Sequence, residues 1–187
     1  MKNANPVSCG IRAALASFIA LCAAGCGSDR SEKAEAAAPK TVYDHFAIDV
    51  GGHPASLQFA VLGPEQERGL MQRMDLGRDE GMIFVNAAPR TLSIWMHNTP
   101  EALDLAYLSP DGTLVEVYDL LPLDERPVNS HSGDVQFALE MPKGWFSANG
   151  IRPGARIDMK AVTDAMVARG FDPVKYRLRE RWPSATP

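Results

Sequence analysis

Seven polar or aromatic residues interrupt or border apolar runs in the middle of the chain, where they could bind a ligand or carry acid–base chemistry. They are Arg68, Arg73, Trp95, Asn98, Thr99, Asp104 and Glu140. A buried charge without a partner is energetically expensive, so these groups must pair with something. An arginine can bind a carboxylate or a phosphate, and a tryptophan can provide an apolar wall beside it. The residue types therefore indicate an anion-binding cleft or an internal polar network.

Both interpretations predict that these side chains cluster in space, because a buried polar group needs a hydrogen-bonding or charged partner. In the network, an arginine pairs with Asp104 or Glu140, and Asn98 or Thr99 holds a turn. In the cleft, the same side chains surround a ligand. The residues expected to converge beside Trp95 are Arg68, Asn98, Asp104 and Glu140.

An enzyme is the alternative to a binding protein. If Asp104 and Glu140 face each other, they could exchange protons in a hydrolase or transferase, with Arg68 or Arg73 stabilising an anion. The sequence contains no Gly-x-Ser-x-Gly turn, His-Glu-x-x-His helix or phosphate loop. No two histidines have the three- or four-residue spacing of a zinc site. These patterns favour binding over catalysis.

The methionines are the remaining candidates for a metal site, because thioethers beside His97 could bind Cu(I). Methionine also fills irregular cores, and Met74, Met82, Met96 and Met159 fall on faces expected to point inward. We interpret them as core residues, and the sequence predicts no metal and no cofactor.

The N-terminus has the pattern of a secretory leader. Lys2 and Arg12 precede an uncharged stretch over residues 13–24, which is too short to anchor a protein across a bilayer. The run from Leu21 to Cys26 resembles the bacterial lipoprotein signal, in which the cysteine receives diacylglycerol and becomes the new N-terminus. We therefore expect a signal peptide over residues 1–25 and lipidation of Cys26. An ordinary signal peptide cut nearby is the alternative.

Lipidation implies a membrane anchor facing the periplasm. Gly27, rather than an aspartate, follows the cysteine, and by resemblance to lipoprotein sorting in enterobacteria this favours the outer membrane. Residues 26–40 mix small and charged side chains without an apolar face, which is typical of a flexible tether.

Length and composition predict a single domain after the tether. The chain has 187 residues, of which 45% are hydrophobic and 22% charged, enough for one core. Its formal net charge is −4, whereas proteins that bind nucleic acid usually carry an excess of positive charge. We therefore exclude nucleic acid as a partner. We expect a β-rich domain over residues 41–162 and a loosely packed basic tail over residues 163–187.

Alternating apolar residues predict mainly β structure in this domain. Residues 42–50 and 57–61 form one predicted hairpin around Gly51 and Gly52, and residues 103–108 and 113–118 form another. Further strands are expected within the ranges 81–85, 92–96, 135–139 and 157–161, with a long loop over 120–133. Pro64, early acidic residues and Arg73 indicate one short helix over about 64–74. The predicted fold is a curled, antiparallel-rich sheet or a small barrel with that helix over an opening.

Five motifs occur in an order that resembles a known family. They are Glu67-Arg68-Gly69-Leu70-Met71-x-Arg73, Glu80-Gly81-Met82-Ile83-Phe84, Trp95-Met96-His97-Asn98-Thr99, Leu103-Asp104 and Leu139-Glu140. In this arrangement the chain resembles the prokaryotic domain-of-unknown-function family 192 over residues 57–160. The resemblance implies a compact, mainly β domain that is often exported in bacteria and whose activity is not established. We therefore expect an exported, lipid-anchored envelope protein that binds a small ligand or an envelope partner.

Overall fold

The computed structural model describes residues 40–178. The predicted leader, Cys26 and most of the tether lie outside the described residues. The eight strands are β1 (Phe46–Val50), β2 (His53–Ala60), β3 (Glu80–Arg90), β4 (Ser93–Ile94), β5 (Leu103–Leu108), β6 (Leu114–Leu120), β7 (Val128–Asn129) and β8 (Val135–Pro142). The helices are α1 (Gly63–Arg68), α2 (Trp145–Ala148) and α3 (Met159–Ala168), followed by a 3-10 turn over Pro173–Tyr176.

Six strands form one mixed sheet in the order β1-β2-β3-β8-β5-β6, and β4 pairs with β7 separately. All neighbours in the large sheet are antiparallel except β2 and β3. Both predicted hairpins are confirmed, as is the mainly β, curled sheet. The sheet does not close through strand pairing, so of the two predicted forms it is the curled sheet and not the barrel.

A short segment links the two edges of this sheet. The Gly51 N–H donates to the Arg156 carbonyl at 2.8 Å, and the Leu114 N–H donates to the Ala155 carbonyl at 2.8 Å. Gly51 lies after β1 and Leu114 begins β6, so the same segment contacts both outer strands. These bonds satisfy backbone groups that an open edge would leave unpaired.

The sheet is buried on both faces, because strand residues alternate between two apolar clusters. On β8, Leu139 and Met141 belong to the first cluster and Ala138 to the second. The first cluster also includes Val162 and Met166 of α3. The second is covered by the connections between strands, which contribute residues such as Leu70, Leu92 and Met96.

The parallel pairing of β2 with β3 requires a crossover, since parallel strands cannot be joined by a tight turn. Residues 61–79 make this connection and carry α1 over the second face of the sheet. The helix is shorter than predicted and ends at Arg68, because Gly69 has a φ of 45° and turns the chain out of the helical path.

The C-terminal predictions are wrong in two respects. In the strand predicted over 157–161, only Ile157 is β-like, through an isolated bridge to Val50, and α3 begins at Met159. The Asp158 carboxylate caps this helix by accepting hydrogen bonds from the N–H groups of Lys160 and Ala161. Residues 163–178 are not a loose tail. Val162, Ala165 and Met166 recur at helical spacing and are buried, and Leu178 is buried after the 3-10 turn.

The methionine prediction is confirmed for three residues and wrong for one. Met82, Met96 and Met159 are buried in the two clusters. Met74 is 76% exposed, because it lies in an irregular stretch after the end of α1 rather than in the predicted helix.

Candidate functional site

A cavity of about 330 Å³ lies on the second face of the sheet, between the crossover and the segment that follows β3. Its lining residues are Gln66, Glu67, Arg68, Gly69, Leu70, Met71, Phe84, Asn86, Arg90, Thr91, Leu92, Ser93, Ile94, Trp95, Thr99, Ala138 and Glu140. The buried strand residues Phe84, Ala138 and Glu140 form its floor. The exposed side chains of Arg68, Arg90 and Trp95 form its rim. The volume suits a small organic molecule.

Glu140 is the unusual group in this cavity. Its side chain is only 4% exposed and lines the floor, yet its carboxyl makes no hydrogen bond or ion pair within residues 40–178. Burial removes the carboxylate from water and raises the pKa of Glu140 to about 8. The backbone at Glu140 is held on both sides, by Met82 of β3 and Leu105 of β5. The backbone of Glu140 therefore has a fixed position, whereas its carboxyl has no partner within residues 40–178.

Two side chains of α1 hold the crossover wall in place, one by bonding to the sheet and the other by bonding within the crossover. The Gln66 amide donates to the Val85 carbonyl at 2.9 Å. The Glu65 carboxylate accepts hydrogen bonds from the N–H groups of Val61 and Leu62 at 2.9 and 3.0 Å. These bonds position the end of α1, where Arg68 reaches the rim and has no salt-bridge partner among residues 40–178.

The opposite wall contains a second arginine, Arg90, which is oriented by an amide. The Arg90 guanidinium donates to the Asn86 side-chain oxygen at 2.9 Å. The Asn86 amide nitrogen in turn donates to the Gln136 carbonyl of β8 at 3.2 Å. Because one bond occupies only part of a guanidinium with five N–H donors, Arg90 keeps donors for an anion.

Trp95 forms an aromatic part of the rim and is 48% exposed. Its ring stacks on the His97 ring with 5.0 Å between centroids. The His97 Nδ1 lies 2.7 Å from a Glu125 carboxylate oxygen. These contacts hold Trp95 at the mouth of the cavity, although much of its ring is open to solvent.

Four of the seven residues singled out in the sequence line this cavity: Arg68, Trp95, Thr99 and Glu140. Arg73 lies in a neighbouring groove, where its guanidinium bonds to Gln58 at 3.1 Å and pairs with Asp75. Asn98 is exposed at a φ of 52°, and its amide lies 2.9 Å from the His97 ring. Asn98 does not line the cavity, because its side chain bonds to the His97 ring of its own turn.

Asp104 lies on the other face of the sheet from Glu140. Its carboxylate accepts hydrogen bonds from the Lys143 ammonium at 3.1 Å and from the Gly144 N–H at 3.0 Å. Leu105 of β5 is paired with Glu140 and belongs to the second cluster, so its neighbour Asp104 points the opposite way. The convergence of Asp104 with Glu140 is wrong, and so is the acid–base pair of these two carboxylates that the alternative hydrolase or transferase would use.

Asn86, Arg90 and Gln66 were missed in the sequence. Asn86 follows the apolar run of β3 and could have been found as a polar residue at the end of that run. Arg90 and Gln66 lie in stretches that resemble ordinary surface sequence, so only the fold reveals them.

Within residues 40–178, no three His, Cys, Asp or Glu side chains are grouped as metal ligands.

The sequence comparison decides the family. The DUF192 family model, described as "Uncharacterized ACR", matches residues 46–159. The chain belongs to this family. The match covers every strand of the large sheet and the whole cavity lining. No curated protein matches the chain.

Solved structures that resemble this protein in fold include the following two. One is a protein from Sinorhizobium meliloti 1021 described as a candidate transcription regulator. It has 28% identity and a TM-score of 0.60, and the alignment covers 64% of this chain and 96% of that one. The other is a protein of unknown function from Novosphingobium aromaticivorans DSM 12444. It has 31% identity and a TM-score of 0.59, and the alignment covers 66% of this chain and 94% of that one.

None of the helices over residues 40–178 is both long and apolar enough to span a membrane.

Proposed function

We propose that this DUF192 protein binds a small organic molecule in the cavity above Phe84, Ala138 and Glu140. The carboxyl of Glu140 carries the proposal, because it is buried on a strand paired on both sides and has no partner in residues 40–178. Burial without a protein partner makes the charged form of this carboxyl unfavourable. A ligand that bonds to Glu140 would offset this cost, which is a reason for a binding site to keep such a group.

A catalytic role has less support from the lining residues. The cavity contains the hydroxyls of Thr91, Ser93 and Thr99, but its described lining includes no histidine, lysine or cysteine. A hydroxyl nucleophile needs an adjacent base, and the buried carboxyl of Glu140 forms no hydrogen bond with any of these hydroxyls in the described structure. The cavity also favours a small molecule over an envelope protein, because a concave apolar site suits a ligand that it can largely enclose.

Binding can be tested with the fluorescent dye 1-anilinonaphthalene-8-sulfonate, which combines apolar rings with one anionic group. We expect saturable binding at one site, and Ser93→Trp should weaken it by about tenfold or more, equivalent to at least about 1.4 kcal/mol. Ser93 is an exposed rim residue, so a larger side chain obstructs the mouth without entering the core.

The matched control is Ser184→Trp, which makes the same substitution in the C-terminal segment that follows the last described residue, Leu178. A second variant, Ala138→Leu, fills the floor directly. Equal dye binding by the native protein, Ser93→Trp and Ala138→Leu would contradict the proposed cavity.

We further propose that the protein is exported and anchored in the outer membrane, facing the periplasm, through a lipid on Cys26. The support is the leader pattern over residues 1–25 and the small residues before the cysteine. Cys26→Ala should abolish labelling by a radioactive fatty acid and release the protein from the membrane fraction. Cys22→Ala is the matched control, because it removes a cysteine inside the leader. Labelling that persists in Cys26→Ala would disprove the anchor.

A further inference from the structure

The charged groups of the cavity are separated by its apolar lining. The floor contains the Glu140 carboxyl, whereas the rim contains the guanidinium groups of Arg68 and Arg90. Leu70 and Leu92 are among the apolar side chains that line the space with Phe84 and Trp95. Glu67 also reaches the rim, so the rim is positive by one charge in total. An acidic floor and a cationic rim select opposite charges at the two ends of a ligand.

We infer that the ligand is a small zwitterion with a cationic nitrogen at Glu140, an anionic group at Arg68 and Arg90, and an apolar part between them. This inference rests on the proposed binding function and specifies its ligand class. Short peptides with free termini belong to this class, as do other amine-bearing carboxylic or phosphoric acids.

The cationic end follows from the isolation of Glu140. No arginine, lysine or histidine within residues 40–178 pairs with its carboxyl. An ammonium group placed there would donate hydrogen bonds and supply the missing opposite charge. An anionic group at the same depth would find no opposite charge and would oppose the ionisation of Glu140, which is unfavourable in a site that burial has largely removed from water.

The anionic end of the ligand is inferred from the guanidinium N–H donors that remain available at the rim. Arg68 forms no salt bridge in the described part of the chain, and Arg90 is oriented by a neutral amide rather than neutralised by a carboxylate. Guanidinium groups bind carboxylates and phosphates through paired hydrogen bonds. Two of them at one rim therefore favour a carboxylate or phosphate on the outer end of the ligand.

The test uses a matched set of three peptides: phenylalanylglycine, its N-acetyl derivative and its C-terminal amide. Each is added to the full-length protein as a competitor of the bound dye. We expect phenylalanylglycine to displace the dye, and we expect acetylation and amidation each to weaken displacement by about tenfold or more. Glu140→Gln should remove the preference for the free amine. The double variant Arg68→Ala with Arg90→Ala should remove the preference for the free carboxylate, and Arg152→Ala is the control at an exposed arginine outside the cavity.

Calorimetry supplies a readout that a purely structural role would not produce. At about pH 6.5 the peptide amine is protonated, and pairing it with Glu140 should release one proton from that carboxyl. The charged or titratable groups near Glu140 are Glu67, Arg68, Arg90 and Tyr107. The arginines stay charged and the buried tyrosine stays neutral at this pH. Proton release should therefore disappear in Glu140→Gln and persist in Glu67→Gln.

The outcomes separate the ligand class from the binding function. If dye binding is blocked by Ser93→Trp but the three peptides compete equally, or none competes, the zwitterion inference is overturned while the cavity remains a binding site. If Ser93→Trp and Ala138→Leu leave dye binding unchanged, the proposed function itself fails.

Discussion

Arg169→Ala should lower the free energy of unfolding by about 3–5 kcal/mol, because it leaves the Glu65 carboxylate half-buried without its cation. The Arg169 guanidinium donates to one Glu65 oxygen at 2.6 Å and to the other at 3.2 Å. It also donates to the Phe59 carbonyl and lies 5.2 Å from the centre of the Phe171 ring. Chemical denaturation at neutral pH measures the loss.

The matched control is Lys160→Ala, which removes the cation of an exposed pair with Asp164 on α3. Solvent screens that pair, so its loss should cost far less than the loss of the Arg169 pair. Comparable losses in the two variants would show that burial does not strengthen the Arg169 pair.

The pH dependence of the Arg169 effect has a definite sign. Burial alone would raise the pKa of Glu65, but hydrogen bonds from Arg169 and from the Leu62 and Val61 N–H groups outweigh it and hold the pKa below its ordinary value of 4.5. The stabilisation is therefore present above the unfolded-state pKa and is lost as pH falls through the lower folded-state pKa. The destabilisation by Arg169→Ala should shrink on acidification in that range.

Glu140→Gln should stabilise the empty protein at alkaline pH by about 3 kcal/mol, since each pKa unit corresponds to about 1.4 kcal/mol and water in the open cavity reduces the full effect. Burial raises the pKa of Glu140 from 4.5 to about 8. Folding then favours the neutral acid, so the penalty is absent below the unfolded-state pKa and grows as pH rises toward the folded-state pKa. Unfolding curves at several pH values should show the native protein losing stability relative to the variant between these two values.

The control for this prediction is Glu67→Gln, the same substitution at an exposed carboxylate of the cavity rim. It should leave the pH dependence of unfolding unchanged. A native protein and a Glu140→Gln variant with parallel stability curves would contradict the account of Glu140 as a buried, unpaired acid.

The site depends on contacts that no local pattern contains. Arg169 follows α3 and stabilises α1 through Glu65, more than one hundred positions earlier in the chain. That pair holds the crossover that forms one wall of the cavity. In the sequence, Arg169 belongs to a stretch rich in Arg and Lys that we expected to be loose, because its pairing partner is visible only after folding.

The prediction that Asp104 and Glu140 cluster also failed because it depended on a contact between distant segments. Apolar alternation placed Asp104 and Glu140 on strands, but whether two strand residues share a face depends on register. Leu105, not Asp104, is paired with Glu140. One position along β5 therefore separates a residue of the cavity face from a residue bonded to Lys143 on the other face.

The amino-acid sequence by itself determined most strands of the large sheet, the two hairpins and the family, because alternation, glycine turns and ordered motifs are local properties of the chain. It also identified Glu140 and Arg68 as polar residues in apolar surroundings. Only the tertiary structure decided that Glu140 is unpaired within the described residues, that Arg90 joins Arg68 at one rim and that α3 belongs to the core. Those facts depend on strand order, register and long-range pairing, which arise from the packing of distant segments against one another.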